Sequence, residues 1–287
     1  MLKYPLILVH GLFGFDKILG QPYWYKIPEA LKDLGVDVHI PTLSAANDPE
    51  VRGGQLLNVI EDVKAKTGAE KVNLLGHSQG GITIRYAAGH NPLSVASLTT
   101  VSAPHQGSEI ADIVRGAIPE GSIPETVVAA VVDAFSKLLS TLSGNPDTSQ
   151  DSVAAADTLT NAYMEEFNKK YPIGVVKEWG GEGNMVDNGI YCYSWSGVIG
   201  STLSQGPNIL DPLYMILVLL NRFFYKEKTQ NDGLVGRFSS HFGKVIKSNY
   251  NLDHADTINQ LGGLCPLGEH PLRLYTDHVK RLAAQGL

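Results

Sequence analysis

Cysteine is scarce in this chain, with only Cys192 and Cys265 among its 287 residues. That excludes a disulfide-stapled scaffold and leads us to expect two free, mostly buried thiols. Basic runs are missing as well. The net charge is −6 and no Lys/Arg cluster supplies a phosphate-binding stripe, so nucleic acid is not an expected partner. Long apolar runs are absent too. The longest, Leu213 to Leu220, falls far short of the ~20 residues of a membrane span, so no transmembrane segment is expected. The start, Met1-Leu2-Lys3-Tyr4-Pro5, lacks the regions of a secretory leader, so either the chain is made without one or Met has replaced it. Charged residues reach only 18%, whereas 43% are hydrophobic, enough for a sizeable core. No repeat or low-complexity linker divides the chain, which reads as a single domain over 1–287.

What is present centres on Lys71-Val72-Asn73-Leu74-Leu75-Gly76-His77-Ser78-Gln79-Gly80-Gly81. An apolar, β-forming run ends in Gly-x-Ser-x-Gly, and Ile82-Thr83-Ile84-Arg85-Tyr86-Ala87-Ala88 can continue as a helix. Strand, sharp turn and helix in that order make the nucleophile elbow of an α/β-hydrolase. The turn strains the serine backbone and brings neighbouring chain so close that a Cβ at 76 or 80 would clash. It also lifts Ser78 Oγ above the sheet, at the positive end of the following helix.

The rest of the chain fits that frame. Pro5-Leu6-Ile7-Leu8-Val9 reads as a buried parallel strand that stops at His10-Gly11-Leu12-Phe13-Gly14-Phe15. A glycine-containing loop after an early strand donates one N–H of the oxyanion hole, and the residue after the serine donates the other, which selects Leu12 and Gln79. Phe13, Phe15, Tyr23, Trp24 and Tyr25 suit either the wall of an acyl-binding cleft or ordinary core. Helices are expected over Ile27–Leu34 and Val51–Lys66, with strands over Val36–Pro41 and Ala96–Val101. Alternation of strands and helices implies a mostly parallel central sheet flanked by helices.

From about 110 to 156 the strand rhythm stops. Pro124 to Leu142 is a strongly periodic helix, bracketed by Pro119 and Gly121 before it and by Gly144, Asn145 and Pro146 after it. It reads as a helical lid or cap over an apolar site. A helix from Asp157 to Lys170, a strand from Ile190 to Gly197 and an apolar helix from Leu213 to Leu220 follow.

A serine hydroxyl is a poor nucleophile without a base, and the base needs an orienting acid. In this fold the order is Ser, Asp or Glu, then His. Among His90, His105, His241, His254, His270 and His278, His254 sits in a polar loop ahead of the C-terminal helix region. Asp232, in Asn231-Asp232-Gly233, is the candidate to accept its Nδ1 proton.

Together these motifs resemble the bacterial triacylglycerol lipases of the Pseudomonas, Burkholderia and Proteus type, the Proteus enzymes most of all. The resemblance rests on the His10–Phe15 loop, Val51-Arg52-Gly53, the elbow and Ala103-Pro104-His105. It continues through Tyr193-Ser194-Trp195-Ser196-Gly197, Asn231-Asp232-Gly233-Leu234-Val235-Gly236 and His254-x-Asp256-x-x-Asn259-Gln260. It implies a Ser78, His254, Asp232 acyl-enzyme mechanism on long-chain esters at an oil–water interface, by a secreted monomer. It further implies one structural calcium ion, Ca2+, held by Asp211, Asp256 and the main-chain oxygens of Gln260 and Leu264, a donor set suited to a hard cation. Relatives with a disulfide carry cysteines where Gly181 and Phe238 stand here, so that staple is absent. The alternatives to a lipase are a short-chain carboxylesterase or phospholipase with the same triad, or a non-catalytic binding relative.

Overall fold

A computed structural model describes residues 1–12, 17–18, 20–44, 47–118, 123–143, 155–200 and 206–287. Four sheet strands run through the middle: β1 (Leu6–Val9), β5 (Val72–His77), β6 (Val95–Val101) and β8 (Ile190–Gly197). They pair in parallel in that order. β4 (Val38–His39) closes one edge beside β1. At the other edge β9 (Lys244–Tyr250) joins β8 in parallel, and the short β7 (Val186–Asp187) pairs antiparallel with its first residues. β2 (Lys17–Ile18) and β3 (Gln21–Pro22) form a separate small hairpin.

Side chains alternate across each strand, so the sheet splits the core into two layers. Leu6, Leu8 and Leu75 face one apolar cluster, whereas Ile7, Val9, Leu74 and Leu98 face the other. Each of these side chains is buried, and full burial of one is worth roughly 1.5–3 kcal/mol. On the second face, α2 (Pro49–Thr67) and α3 (Gln79–His90) send in Leu56, Ile60 and Ile84. The first face takes α1 (Ile27–Lys32), α4 (Glu109–Val114), α5 (Glu125–Ser143) and, after α6 (Asn161–Lys170), α7 (Pro212–Asn221) and α8 (Pro271–Ala284).

Several boundaries differ from the sequence expectation. The helix expected over Asp157–Lys170 is a 3₁₀ turn at Ala155–Leu159 followed by α6, because Thr160 leaves the helix and its Oγ1 accepts the Tyr163 N–H as a cap. The strand expected over Val36–Pro41 shortens to Val38–His39, since only Leu6 and Ile7 of β1 lie beside it. Pro41, lacking an N–H, could not extend it. The bracketing residues Pro119, Gly121, Gly144, Asn145 and Pro146, together with Phe13 and Phe15, lie outside the described residues.

Both cysteines are free, Cys192 buried in the sheet and Cys265 half-buried. The two loops that a staple at Gly181 and Phe238 would join do meet. The Phe238 ring lies edge-on to Trp179 at 6.4 Å, and the Gly181 carbonyl is hydrogen-bonded to His241 Nδ1 at 2.7 Å.

Candidate active site

The elbow is assembled by close packing. β5 ends at His77, α3 begins at Gln79, and Ser78 between them has φ 54° and ψ −130°, outside the comfortable regions for a residue with a side chain. A Cβ on Gly76 would fall 2.4 Å from the Gly80 carbonyl, and one on Gly80 would fall 2.2 Å from the carbonyl oxygen of Val9. Only glycine fits at either place. The Ser78 N–H is tied to the Val101 carbonyl of β6 at 2.9 Å, so the turn is locked to the sheet's carboxyl edge.

The base lies across a gap of 176 positions in sequence but on the same edge. His254 Nδ1 donates to Asp232 Oδ2 at 2.9 Å, both side chains buried. The other Asp232 oxygen accepts the N–H groups of Leu234 at 3.1 Å and Val235 at 2.8 Å, and the Asp232 carbonyl accepts the His254 N–H at 3.0 Å. Asp232 is therefore held by its own tight turn and in turn fixes both the ring and the backbone of His254. With Nδ1–H bonded to the carboxylate, Nε2 is left to accept a proton.

Gly11 brings the early loop against the serine, leaving only 2.7 Å between Ser78 Cβ and where its own Cβ would stand. Arg52 clamps that loop from below: its guanidinium, fully buried, donates to the carbonyls of Gly11 at 2.9 Å and Ser44 at 3.1 Å, and to His10 O. Burial lowers the Arg52 pKa to about 10. His10 Nε2 accepts the Leu43 N–H, which puts the ring proton on Nδ1 facing the Gly11 carbonyl. Gln79 is anchored by its side-chain amide, donating to Asn47 O and Thr158 Oγ1, both at 3.2 Å.

Ser78 and His254 share a cavity with Leu12, Tyr23 and His77. Its roof is α5, through Phe135, Leu138, Leu139 and Leu142, and α7 closes the side with Leu213 and Leu217. The lining is almost wholly apolar, and the free space is ≈ 80 Å³. Tyr23 is thus cleft wall, as one sequence expectation had it, whereas Trp24 is core against Tyr275.

Residues 4–200 match the family described as the alpha/beta hydrolase fold. This chain belongs to the alpha/beta hydrolases. A triacylglycerol lipase of Pseudomonas fragi is 48% identical to it over 99% of this chain and 98% of its own. One of Vibrio cholerae is 44% identical (99% and 89%), and one of Burkholderia plantarii 40% (99% and 87%). Among solved structures, a Bacillus licheniformis lipase in its mature form aligns with a TM-score of 0.63 at 20% identity, covering 98% of this chain and 92% of that one. The chain therefore sits among the bacterial triacylglycerol lipases within that fold.

This alpha/beta hydrolase also holds an unusual group of acids behind the base. Asp211, Asp253 and Asp256 are all buried, and none forms an ion pair among the described residues. Burial raises the pKa of each, and the mutual repulsion of their charges raises Asp253 and Asp256 further. Asp211 caps α7 by accepting the Leu213 N–H at 2.7 Å, and its second oxygen accepts the Leu261 N–H at 3.3 Å. Asp256 Oδ2 accepts from Asn208 Nδ2 at 2.9 Å and from the Asp253 N–H at 3.1 Å. Asp256 Oδ1, Asp253 Oδ2 and Gln260 Oε1 are buried acceptors with no hydrogen-bond partner among the described residues. Neither Asp253 nor the bond between Tyr23 and His77 could be read in the sequence, because a single Asp beside a candidate base and a contact spanning 54 positions carry no local pattern.

Proposed function

We propose that this protein is a triacylglycerol lipase, with Ser78 as nucleophile, His254 as base and Asp232 as its orienter. One observation carries the reading: a strained serine and a carboxylate-bonded histidine open into the same apolar cavity. In the mechanism, Ser78 Oγ bonds to the ester carbonyl carbon while its proton passes to His254 Nε2. The carbonyl π pair moves onto oxygen, and the resulting oxyanion is held by the N–H groups of Leu12 and Gln79, an interaction worth ~3–4 kcal/mol of barrier. Asp232 stabilises the imidazolium. Collapse breaks the bond to the glycerol oxygen, which takes the proton from His254. Water then repeats the sequence on the acyl-enzyme and releases the fatty acid.

We read α5 as a lid. Free space of ≈ 80 Å³ is well below the ~300–1,000 Å³ of pockets that hold drug-sized ligands, so a long-chain ester enters only once α5 moves. Opening would present Phe135, Leu138 and Leu139 to the lipid surface, where their exposure costs little. Activity on triolein emulsion and on soluble short-chain esters tests this. A lipase turns over triolein with onset at the emulsion boundary, whereas a plain short-chain esterase or a phospholipase does not. Phosphonate labelling at Ser78 separates either enzyme from a non-catalytic relative.

We assign the acid cluster to one structural calcium ion, held by Asp211, Asp256 and the carbonyls of Gln260 and Leu264. No group of three Asp, Glu, His or Cys side chains among the described residues is arranged to hold a metal, so the reading rests on the buried Asp211 and Asp256, on Asp256 Oδ1 left without a partner among those residues, and on main-chain oxygens to complete the set for a hard cation. The ion would supply charge neutralisation alone, tying the His254 loop to the start of α7. No helix among the described residues is long and apolar enough to cross a membrane. Action as a secreted monomer rests on the resemblance of the motifs, and light scattering together with activity in culture medium checks it.

A further inference from the structure

We infer that Tyr23 and His77 form a hydrogen-bonded strut that sets the spacing between the oxyanion loop, the nucleophile and the base. The chain of bonds runs from the Gly11 N–H to Tyr23 Oη at 2.9 Å, between Tyr23 Oη and His77 Nδ1 at 2.6 Å, and between His77 Nε2 and the main-chain oxygen of His254 at 3.1 Å. Every direction in it is forced. A carbonyl oxygen can only accept, so His77 Nε2 carries the proton. In the neutral ring Nδ1 then accepts from Tyr23, and the Tyr23 oxygen accepts from Gly11. Burial of the phenol and of the ring, with His254 nearby, favours the uncharged form of both groups.

The placement of the strut's ends gives it a role. Gly11 precedes Leu12, His77 precedes Ser78, and His254 is the base, so one polar line joins all three working segments without using a reacting atom. The residues it connects lie 12, 54 and 177 positions apart, so no local element sets their spacing. The His77 ring also packs on the His254 ring, centroids 4.6 Å apart. Tyr23 and His77 are positioning residues here. A misplacement near 1 Å at a reacting group can cost ~100-fold in rate, which is the scale at stake.

This inference deepens the serine hydrolase reading and rests on it. The test compares wild type with His77→Phe, His77→Gln and Tyr23→Phe on a soluble short-chain ester, recording kcat, KM, melting temperature and Ser78 labelling by a phosphonate. In His77→Phe, kcat should fall about 10- to 100-fold with KM within about threefold. His77→Gln, which keeps an N–H near Nε2, should recover most of that loss, and Tyr23→Phe should fall between wild type and His77→Phe. Nitrogen-15 NMR of the wild type should show His77 as the neutral Nε2–H tautomer at the pH of activity. The strut is overturned by kcat within twofold of wild type in His77→Phe, by equal losses in Phe and Gln variants, or by a protonated or Nδ1–H ring at 77. A wild type that neither labels nor turns over would instead remove the hydrolase reading itself.

Discussion

The nucleophile and the base are held in place by opposite means. Around Ser78 the work is steric: glycines at 76 and 80 let backbone meet backbone, and no side-chain hydrogen bond caps the helix that begins there. Around His254 the work is polar. Asp232 takes three donors, and a buried group of acids lies just behind. A site built by volume breaks when an atom is added, and a site built by charge breaks when an atom is exchanged. The two ends should therefore fail in different ways.

Removing the reacting oxygen, Ser78→Ala, sets the floor. Activity should drop by roughly 10⁶, with the melting temperature unchanged or raised because a strained polar residue is relieved of its hydroxyl. Asp232→Asn keeps volume and changes only charge, and kcat should fall by about 10⁴ while the fold survives, as near-native circular dichroism would show. Gly80→Ala does the reverse. It adds one methyl against the Val9 carbonyl, and denaturant unfolding should show at least about 1–3 kcal/mol of lost stability together with lost activity. A stable, active Gly80→Ala protein would undo the contrast drawn between the two ends.

Calcium sharpens the polar side. Adding a chelator should lower the melting temperature by several degrees, since a ligand at a hundred times its Kd contributes ~2.7 kcal/mol. Asp256→Ala should lower it in calcium and respond little to chelation. An unchanged melting temperature on chelation would remove the ion.

The smallest effect concerns Glu227, buried beside Glu109 and accepting the N–H groups of Phe238 and Ser239. Burial raises its pKa to about 7, so the folded state binds its proton more tightly than the unfolded chain does. Its contribution is full below the ordinary carboxyl pKa and is lost as pH rises to about 7. Stability should fall by about 1–3 kcal/mol between pH 5 and 8 from this group, and Glu227→Gln should flatten that slope.

How much of this was legible in the sequence follows the same division. The elbow could be read because steric demands are local, falling on adjacent residues in a fixed spacing. Asp232 and His254 could be named from their order along the chain, and the structure bonds them. The polar framework could not be read in the same way. Asp253 gains its meaning only beside Asp211 and Asp256, and His77 only beside Tyr23 and the His254 carbonyl, partners far apart in sequence. β9 escaped notice for a related reason: Lys244–Tyr250 is a half-exposed edge strand whose polar composition gives no apolar run.

The contact of Phe238 with Trp179 has one further outcome. The two loops are joined by ring packing, and the thiols of Cys192 and Cys265 take no part. Folding of this chain waits on no oxidant, and dithiothreitol should leave its unfolding curve where it was.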